Sequence, residues 1–413
     1  MRPLLTAIGA VLLGHAIFGS FPAHAQMQIS YRGLVEIGVT GFPQSAPNDP
    51  TQGIADVLAR FEPSIDITQG VSLAASFDAR MDTHDEVARR WDVDYWDRSI
   101  TRPALAVRRL VLTLTRGPLT LELGKQFVRW GQVDIISPTD RFTARDYLQP
   151  FATETLATTA ARFTLTGRGH TLELVATPRL VPSRMPLLTH RWIGVPAAGL
   201  DLADGGAVYP GGGQYGVRYN RISPRVEYAV SFFQGYNPLP RLAVTPLGPA
   251  TASITRHYPA VRAYGVDAMV PLRGVALKAE TAWIESYHRD TDDYGLYVVQ
   301  AERQQGEWLF IGGYVGEFVT ADRGAITYAP DRGLAGSLVG RASFTIDTNS
   351  SVVLESVARQ DGAGWYAKAE YSRAAGGQWR VTLRATVIRG SLDDYLGQYR
   401  LNSYGATQVR FSY

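Results

Sequence analysis

The stretch that decides the fold is Leu119-Thr120-Leu121-Glu122-Leu123-Gly124-Lys125-Gln126-Phe127. Leu119, Leu121, Leu123 and Phe127 alternate with polar residues or glycine, and this period of two predicts a β-strand with one apolar and one polar face. A second strand-like run, residues 104–115, precedes the stretch across a tight turn at residues 116–118. A long segment without alternation follows it. The local order is therefore strand, short turn, strand, long loop.

The same unit repeats along the whole chain. The alternating runs number about 18, with 16 also compatible, and short turns follow even-numbered runs while long interruptions follow odd-numbered ones. Single-chain bacterial barrels have an even strand number, short periplasmic turns and long extracellular loops. The sequence therefore predicts an all-β fold, a single transmembrane antiparallel up-and-down β-barrel spanning residues 26–413. The Pro- and Gly-rich segment 178–213 is predicted to be the longest irregular loop.

The N-terminus has the pattern of a secretory signal. Arg2 precedes an apolar run over residues 4–18, and the small-x-small site Ala23-His24-Ala25 follows. This pattern predicts a signal peptide over residues 1–25 and export through the general secretory pathway. An N-terminal membrane anchor is the alternative, and the shortness of the apolar run disfavours it.

The C-terminus also alternates. Val409, Phe411 and Tyr413 are separated by Arg410 and Ser412, so the chain ends on an aromatic residue of a strand. This end resembles the terminal strand through which outer-membrane proteins are recognised by the barrel assembly machinery. We therefore expect that machinery to be a partner through the strand ending in Phe411 and Tyr413.

Composition excludes several classes of function. The 413 residues are 45% hydrophobic and 19% charged, with a formal net charge of +3, and no Lys/Arg run favours nucleic acid. Because there is no cysteine, disulfides and thiolate metal sites are excluded. No Gly-x-Ser-x-Gly motif is present, and the His residues of the mature chain lack metal-ligand spacing. We expect no cofactor, no metal and no enzymatic activity, and we interpret residues 288–293 as a solvated loop.

The polar faces of the predicted strands carry charges of both signs. An Arg or Lys on the lipid face costs about 2–4 kcal/mol at the bilayer midplane, so these charges are expected to face the lumen. The opposite faces carry the apolar and aromatic residues that contact outer-membrane lipid and lipopolysaccharide. The predicted lumen-lining residues are Arg60, Glu62, Asp78, Arg80, Arg109, Glu122, Lys278, Glu280, Glu355, Lys368, Glu370, Arg380 and Arg384.

The loop after Trp130 is the candidate for a pore constriction. It mixes charged residues with Ile135, Ile136 and Phe142, and the two isoleucines need burial, which favours a loop folded into the barrel. The alternative is an ordinary external loop that caps the rim. The constriction candidates are Arg129, Asp134, Asp140, Arg141, Arg145 and Asp146.

The same region carries a resemblance to a known group. Lys125-Gln126-Phe127-Val128-Arg129-Trp130-Gly131, followed by Asp134-Ile135-Ile136-Ser137-Pro138-Thr139-Asp140, resembles a segment of porin-like outer-membrane barrels related to the alginate-export group. That group usually has Asn where this chain has Ser137. The likeness covers roughly the first 120 mature residues, and it implies an outer-membrane pore without indicating the solute.

These observations lead to one preferred function and two alternatives. We expect an outer-membrane channel, monomeric or trimeric, through which small hydrophilic or charged solutes diffuse passively along a mixed-charge lumen. The charges could instead only rigidify the wall. The barrel could also be a sheath or scaffold for a periplasmic, secretion or electron-transfer partner, or an outer-membrane enzyme whose catalytic groups come from separate strands.

Overall fold

A computed structural model of the chain describes residues 27–194, 201–287, 290–360, 362 and 364–413. The predicted signal peptide lies outside the described residues, as do His288 and Arg289 of the predicted solvated loop. No helix in these described ranges is both long and apolar enough to cross a membrane.

Within the described ranges, eighteen antiparallel strands form one closed sheet. In chain order they are β1 (Gln28–Gly41), β2 (Gly53–Thr68), β3 (Val71–Asp82), β4 (Leu105–Arg116), β5 (Leu119–Gln126), β6 (Thr158–Gly167), β7 (His170–Thr177), β8 (Gln214–Ile222), β9 (Glu227–Tyr236), β10 (Ala260–Leu272), β11 (Val275–Ser286), β12 (Asp293–Gln305), β13 (Trp308–Ala321), β14 (Ser337–Asp347), β15 (Ser350–Arg359), β16 (Trp365–Ala375), β17 (Trp379–Arg389) and β18 (Tyr404–Ser412). Each strand pairs with the next one along the chain.

The first and last strands close the barrel. β1 pairs with β18 from Leu34 opposite Ser412 to Gly41 opposite Gly405, so the main sheet has no open edge. The predicted fold and strand number are confirmed.

Short turns and long connections alternate as predicted, and the long ones define one end of the barrel, which is extracellular by the convention for such barrels. We number the long connections L1 (42–52), L2 (83–104), L3 (127–157), L4 (178–213), L5 (237–259), L6 (287–292), L7 (322–336), L8 (360–364) and L9 (390–403).

Side-chain burial follows the period of two. On β11, Leu277, Ala279 and Thr281 are exposed on the outer wall, whereas Glu280, Ala282 and Ile284, at positions of the opposite parity, are buried inside. Because successive side chains of a strand point to opposite faces, the pattern is set by the sequence itself. Lipid-facing and lumen-facing residues are thereby separated around the closed wall.

The loops contain structure that the sequence did not predict. Asp201–Val208 of L4 pairs with Thr251–His257, and Arg241–Gly248 completes this three-stranded sheet. The prediction that 178–213 is irregular throughout is therefore wrong. A bulge between Asp204 and Ala207 interrupts the pairing register, and the partner strand lies about 50 residues away, so local alternation did not reveal the strand.

Candidate functional site

L3 lies inside the barrel against its inner wall. The rings of Trp130 and Phe142 have centroids 5.1 Å apart, and Phe142 is 4.9 Å from the ring of Phe233 on β9. Ile135 and Ile136, whose need for burial suggested an inward loop, are partly buried against the same cluster. The buried members of this cluster are Val128, Trp130, Val133, Phe142, Ala160, Val175, Phe233, Val261, Ala263, Ala282, Ile284, Tyr294, Leu296, Val298 and Val315.

Glu280 is the main polar anchor of this loop. Its carboxylate accepts hydrogen bonds from the backbone nitrogens of Gln132 (3.0 Å), Val133 (3.3 Å) and Thr139 (2.8 Å), and from the hydroxyls of Ser137 (2.7 Å) and Thr139 (2.8 Å). Only 1% of the residue is exposed. The structure places Glu280 on the inner face of β11. L3 covers it, so its carboxylate does not line open space.

A second set of contacts fixes Asp134. Lys278 donates to its Oδ2 at 3.1 Å and Gln300 at 2.7 Å, while the backbone nitrogen of Asp134 donates to Gln300 Oε1 at 3.1 Å. Lys278 also pairs with Glu302 at 2.9 Å. The constriction candidate Asp134 and the lumen candidate Lys278 are thus brought together on the wall that carries L3.

Trp130 lies near the start of L3 and forms hydrogen bonds with three other residues. Its backbone nitrogen donates to Asp140, its indole Nε1 to Glu173 on β7, and its carbonyl accepts from Arg218 on β8. Arg218 also forms a bidentate pair with Asp267 at 2.9 Å. Glu173, Arg218, Asp267 and Gln300 were not among the predicted site residues, although they lie on the inner faces of their strands and the alternation could have identified them.

The C-terminal half of L3 is fixed by a series of buried ion pairs. Asp146 accepts from Arg102 at 3.0 and 3.1 Å and from Arg184 of L4 at 3.2 Å. Burial alone would raise the pKa of Asp146, but the two guanidinium groups hold that pKa at about 2. Asp146, a constriction candidate, is 2% exposed and ties L2, L3 and L4 together, so it is not available to a solute.

The same series of ion pairs continues to the barrel wall. Asp97 of L2 pairs with Arg184 at 2.9 Å and with Lys125 at the end of β5 at 2.5 Å. Lys125 is 1% exposed, and its ammonium also donates to the carbonyl of Tyr95. Close to this buried pair in the chain, Val93–Asp94 of L2 pairs in parallel with Leu105 and Ala106 at the start of β4.

Opposite this packed side, the inner wall is charged and its charges are mostly paired. Arg80 bridges Asp78 (2.9 Å) and Glu154 of L3 (2.7 Å), and Arg60 pairs with Asp78 at 2.6 Å. Burial would raise the pKa of Glu154, but Arg80 lowers it below the usual value. L3 therefore contacts the charged wall through the ion pair of Glu154 with Arg80, while it packs on the apolar wall through many residues.

The remaining lumen candidates occur mainly in pairs along the strands. Arg380 donates to the hydroxyl of Ser372 at 3.1 Å, and no ion pair of its own joins it in the described part of the chain. The ion pairs are Glu62 with Arg32 (2.7 Å), Glu122 with Arg162 (3.3 Å), Glu355 with Lys368 (2.5 Å), and Glu370 with Arg384 (2.9 Å).

A bulge in β4 places two consecutive arginines on the lumen side. Arg109 is opposite the inward-facing Ser76, whereas the next pair is Phe77 opposite Val107, so Arg108 is left out of the register. Arg108 lies over the ring of Phe127 at 4.6 Å and 3.9 Å from the carboxylate of Glu62. Strict alternation predicted Arg109 and missed Arg108 for this reason.

Three constriction candidates border an extracellular cavity of about 160 Å³. Asp140, Arg141 and Arg145 line it from L3, and its walls include Phe151, Leu334 of L7 and other residues of L4, L5 and L9. Arg141 is only 6% exposed, and its Nε has no hydrogen-bond partner. No carboxylate of the described residues forms an ion pair with Arg141 or Arg145. Arg129 lies elsewhere, exposed, and donates to Thr155 at 2.9 Å.

A second open space of about 240 Å³ borders the charged wall. Asp56, Arg80 and Arg384 line it from the barrel, and Gln149 and Glu154 line it from L3. The C-terminal half of L3 therefore has open space on two sides. One space lies towards the extracellular end, and the other lies along the charged strands.

His84 of L2 connects three extracellular loops. Its Nε2 is 2.8 Å from Asp49 of L1, its Nδ1 is 3.7 Å from Glu86, and its carbonyl accepts from His190 Nε2 of L4 at 2.6 Å. Burial would lower the pKa of His84, but Glu86 and Asp49 outweigh it, so the pKa is raised. The rings of His84 and His190 are 4.2 Å apart.

Next to this junction, aromatic residues cover part of the barrel mouth. Trp192 of L4 contacts Phe42 of L1 and Tyr399 of L9, with ring centroids 6.1 Å apart in both pairs. Phe151 of L3 stacks on Tyr366 of β16 at 5.0 Å. Four loops therefore share one packed cluster at the extracellular end.

Comparison with solved structures shows the same fold at very low sequence identity. A BenF-like porin from Pseudomonas fluorescens Pf-5 matches over 94% of this chain and 98% of that chain, with 8% identity and a TM-score of 0.55. OpdQ of Pseudomonas aeruginosa matches over 94% and 99%, with 10% identity and a TM-score of 0.54. OccK5 (OpdH) of the same species matches over 94% and 97%, with 10% identity and a TM-score of 0.53. No protein-family profile and no curated protein matches the sequence.

Proposed function

We propose that the protein is an outer-membrane channel for passive diffusion of small hydrophilic or charged solutes. The observation that carries this proposal is the open space beside L3, between that loop and the charged strands β17, β18 and β1–β3. A barrel of about 18 strands is in the size range of water-filled porins, and here one inward loop occupies only part of the interior. The fold shared with a BenF-like porin supports the same reading.

The charge pattern supports a preference for anions within this mixed-charge lumen. Most lumen carboxylates have a cationic partner, whereas Arg141 and Arg145 form no ion pair with a carboxylate of the described residues, and Asp140 and Asp331 border the same cavity. Arg141 is buried and Arg145 is half-buried, and a buried guanidinium that lacks a counter-ion is costly and attracts an anion. We therefore propose that Arg141 and Arg145 favour entry of anions, and that Asp140 and Asp134 shape the constriction beside them.

Conductance in planar bilayers tests the channel itself. Purified, refolded protein is added to one chamber in 1 M KCl, and single insertions are recorded over a range of voltages. We expect discrete, ohmic steps that persist at low voltage. Protein that is folded, as shown by heat-modifiable migration on a gel, and yet never conducts would contradict the proposal.

We propose that the protein is exported through the secretory pathway and lies in the outer membrane, in contact with lipid and lipopolysaccharide. We also propose that the barrel assembly machinery recognises the strand ending in Phe411 and Tyr413, and that the protein has no enzymatic activity. The link to alginate-export-like barrels also remains a proposal. The sheath alternative has less support, because L3 of the chain itself already packs against the inner wall that a partner would contact.

A further inference from the structure

The strand ladder between β4 and β5 ends below the extracellular end of β4. β5 pairs with β4 from Leu119 only as far as Lys125, which is opposite Leu110, and the chain then leaves the wall as L3. β4 extends further, over residues 105–109. β3 pairs with this extension along one edge, with Ala79 opposite the first residue of β4. Beyond the end of β5, the other edge of β4 is therefore free for another segment.

Residues 93–97 of L2, which we call the L2 strap, occupy this position. Val93–Asp94 pairs in parallel with the first two residues of β4. Because β3 takes one edge of these two residues, the L2 strap must lie on the other edge, which β5 occupies further along β4. Tyr95 then reaches β6, where its phenol accepts a hydrogen bond from Thr159 at 3.4 Å. The L2 strap therefore joins β4 to β6 beyond the end of β5.

Lys125 anchors the L2 strap to the end of β5. It shares the outward face of β5 with Leu123 and lies opposite the exposed Leu110, and yet it is only 1% exposed. Its ammonium donates to the carbonyl of Tyr95 at 2.6 Å and to the carboxylate of Asp97 at 2.5 Å. A lysine on the lipid face of a barrel is destabilising, so the L2 strap covers a charge that would otherwise face lipid.

The inner side of the L2 strap borders the lumen. Asp97 pairs there with Arg184 of L4 at 2.9 Å. A narrow space of about 30 Å³ adjoins this pair and is also lined by Arg80, Arg102 and Glu154. The latter three residues line the larger open space along the charged wall as well. The L2 strap and its ion pairs therefore lie between that open space and the outer surface of the barrel.

The outer side of the L2 strap is apolar. Val93 is 64% exposed and Trp96 is 43% exposed, and Trp91 just before the strap is 63% exposed. Tryptophan is typical of the boundary between lipid and water in outer-membrane barrels. Because the strap lies at the extracellular ends of β4 and β6, the lipid that it faces is that of the outer leaflet.

The L2 strap is also the part of the wall that opens most easily. Its ladder contains two residues, whereas the shortest strands of the wall have eight. Segments with few backbone hydrogen bonds open locally at a low free energy while the rest of the fold stays intact. What holds the strap beyond this short ladder is mainly the set of side-chain contacts made by Tyr95 and Asp97.

We propose that the L2 strap is a side gate of the barrel, which is closed in this structure. When Asp97 releases Lys125 and Arg184, the strap moves away from β4, and an opening forms between β4 and β6. Amphiphilic molecules then exchange between the open space in the lumen and the outer leaflet. The gate requires a barrel in the outer membrane, as proposed above, but no ion conduction, so the bilayer recordings and the experiment below can fail independently.

Single thiols test the gate, because the chain contains no cysteine. Ala157, just before β6, is 2% exposed and lines the narrow space behind the L2 strap. Ala157→Cys is reconstituted into phosphatidylcholine vesicles that contain a long-chain N-alkyl maleimide, and mass spectrometry measures the rate of labelling. Ala161→Cys on the outer face of β6 gives the rate of an open site, and Ala282→Cys, buried under L3, gives that of a closed one. Heat-modifiable migration on a gel shows that each variant is folded.

We expect Ala157→Cys to be labelled faster than Ala282→Cys, and we expect Asp97→Asn to raise the rate at Ala157→Cys several-fold. Lys125→Met weakens the same anchor from β5 and should act in the same direction, so the test does not depend on the folding of one variant. Asp92→Asn, which removes an exposed ion pair of the same loop, is the matched control and should leave the rate unchanged.

Three results would overturn the proposal. If Ala157→Cys is labelled no faster than Ala282→Cys, the L2 strap is a permanent part of the wall. If neither Asp97→Asn nor Lys125→Met changes the rate, other contacts close the wall. If only a charged, water-soluble maleimide reacts faster in these variants, L2 lifts towards water while the wall stays closed to lipid.

Discussion

The carboxylate of Glu280 on β11 accepts hydrogen bonds from both the backbone nitrogen and the hydroxyl of Thr139 in L3, each at 2.8 Å. The two residues are 141 positions apart in the chain. Through this contact, a single buried carboxylate fixes the loop that divides the lumen into a packed side and an open side.

Replacement of this carboxylate should release L3. In Glu280→Ala, three backbone nitrogens and two hydroxyls lose their acceptor, and unsatisfied buried donors cost about 1–3 kcal/mol each. We expect the free energy of unfolding to fall by at least about 2 kcal/mol, measured by urea titration with tryptophan fluorescence. Glu355→Ala, which removes a partly exposed partner of Lys368, is the matched control and should cost much less. Equal losses in the two variants would show that Glu280 is no special anchor.

Features set by residues close together in the sequence could be predicted, whereas contacts between distant parts of the chain could not. Alternation is local, so the strands, the parity of turns and loops and the inner position of Glu280 followed from the sequence. The partner of Glu280 did not, because it depends on how the closed barrel brings β11 to L3. Arg108 was missed because a bulge breaks the alternation, and Asp146 was assigned to the constriction because its partners Arg102 and Arg184 come from separate loops.

Asp146 should make the loop packing resistant to acid. Its pKa is lowered from 3.8 to about 2, so its contribution to stability is present above pH 3.8 and is lost as the pH falls through about 2. Asp146→Asn removes one of the two carboxylates that pair with Arg102 and with Arg184, which keep Glu86 and Asp97 respectively, and the loss of these charged hydrogen bonds costs about 2 kcal/mol. We expect faster hydrogen exchange in residues 93–102 and 183–191 at neutral pH. Asp85→Asn, in an exposed pair with Arg89, should leave these rates unchanged, and unchanged rates in both variants would refute the prediction.

His84 should make the junction of L1, L2 and L4 sensitive to alkali. Its pKa is raised, so the stabilisation by the charged imidazole is complete below the unfolded value of 6.5 and is lost as the pH rises through the higher folded value. Asp49, Glu86 and Arg102 face this junction from L1 and L2, and His190 and Arg191 from L4.

The corresponding measurement is hydrogen exchange of residues 42–52 and 186–194 between pH 6 and 9, corrected for the intrinsic rates. We expect several-fold faster opening at the alkaline end for the unmodified protein, and no such change for His84→Gln. His170→Gln, whose imidazole contacts Tyr219 on the outer wall, should behave like the unmodified protein. An alkaline change that persists in His84→Gln would assign it to another group.

Arg141 and Arg145 should set the preference for anions. In a KCl gradient, the reversal potential of the unmodified channel should indicate a higher permeability for chloride than for potassium. Arg141→Ala combined with Arg145→Ala should reduce that ratio several-fold, because the field at the extracellular cavity is removed. Arg129→Ala removes a charge of the same loop outside this cavity and should change the ratio little. A cation-selective unmodified channel would contradict the assignment.

The route of the pore along the charged wall can be tested most directly with single thiols. Thr382→Cys lies on the inner face of β17, opposite Gln408 near the open space, and Ala282→Cys lies under L3 with no exposed surface. A charged methanethiosulfonate is added to open channels in a planar bilayer while the current is recorded. We predict a stepwise, lasting loss of current for Thr382→Cys and none for Ala282→Cys. Block through Ala282→Cys with an unaffected Thr382→Cys would contradict the account.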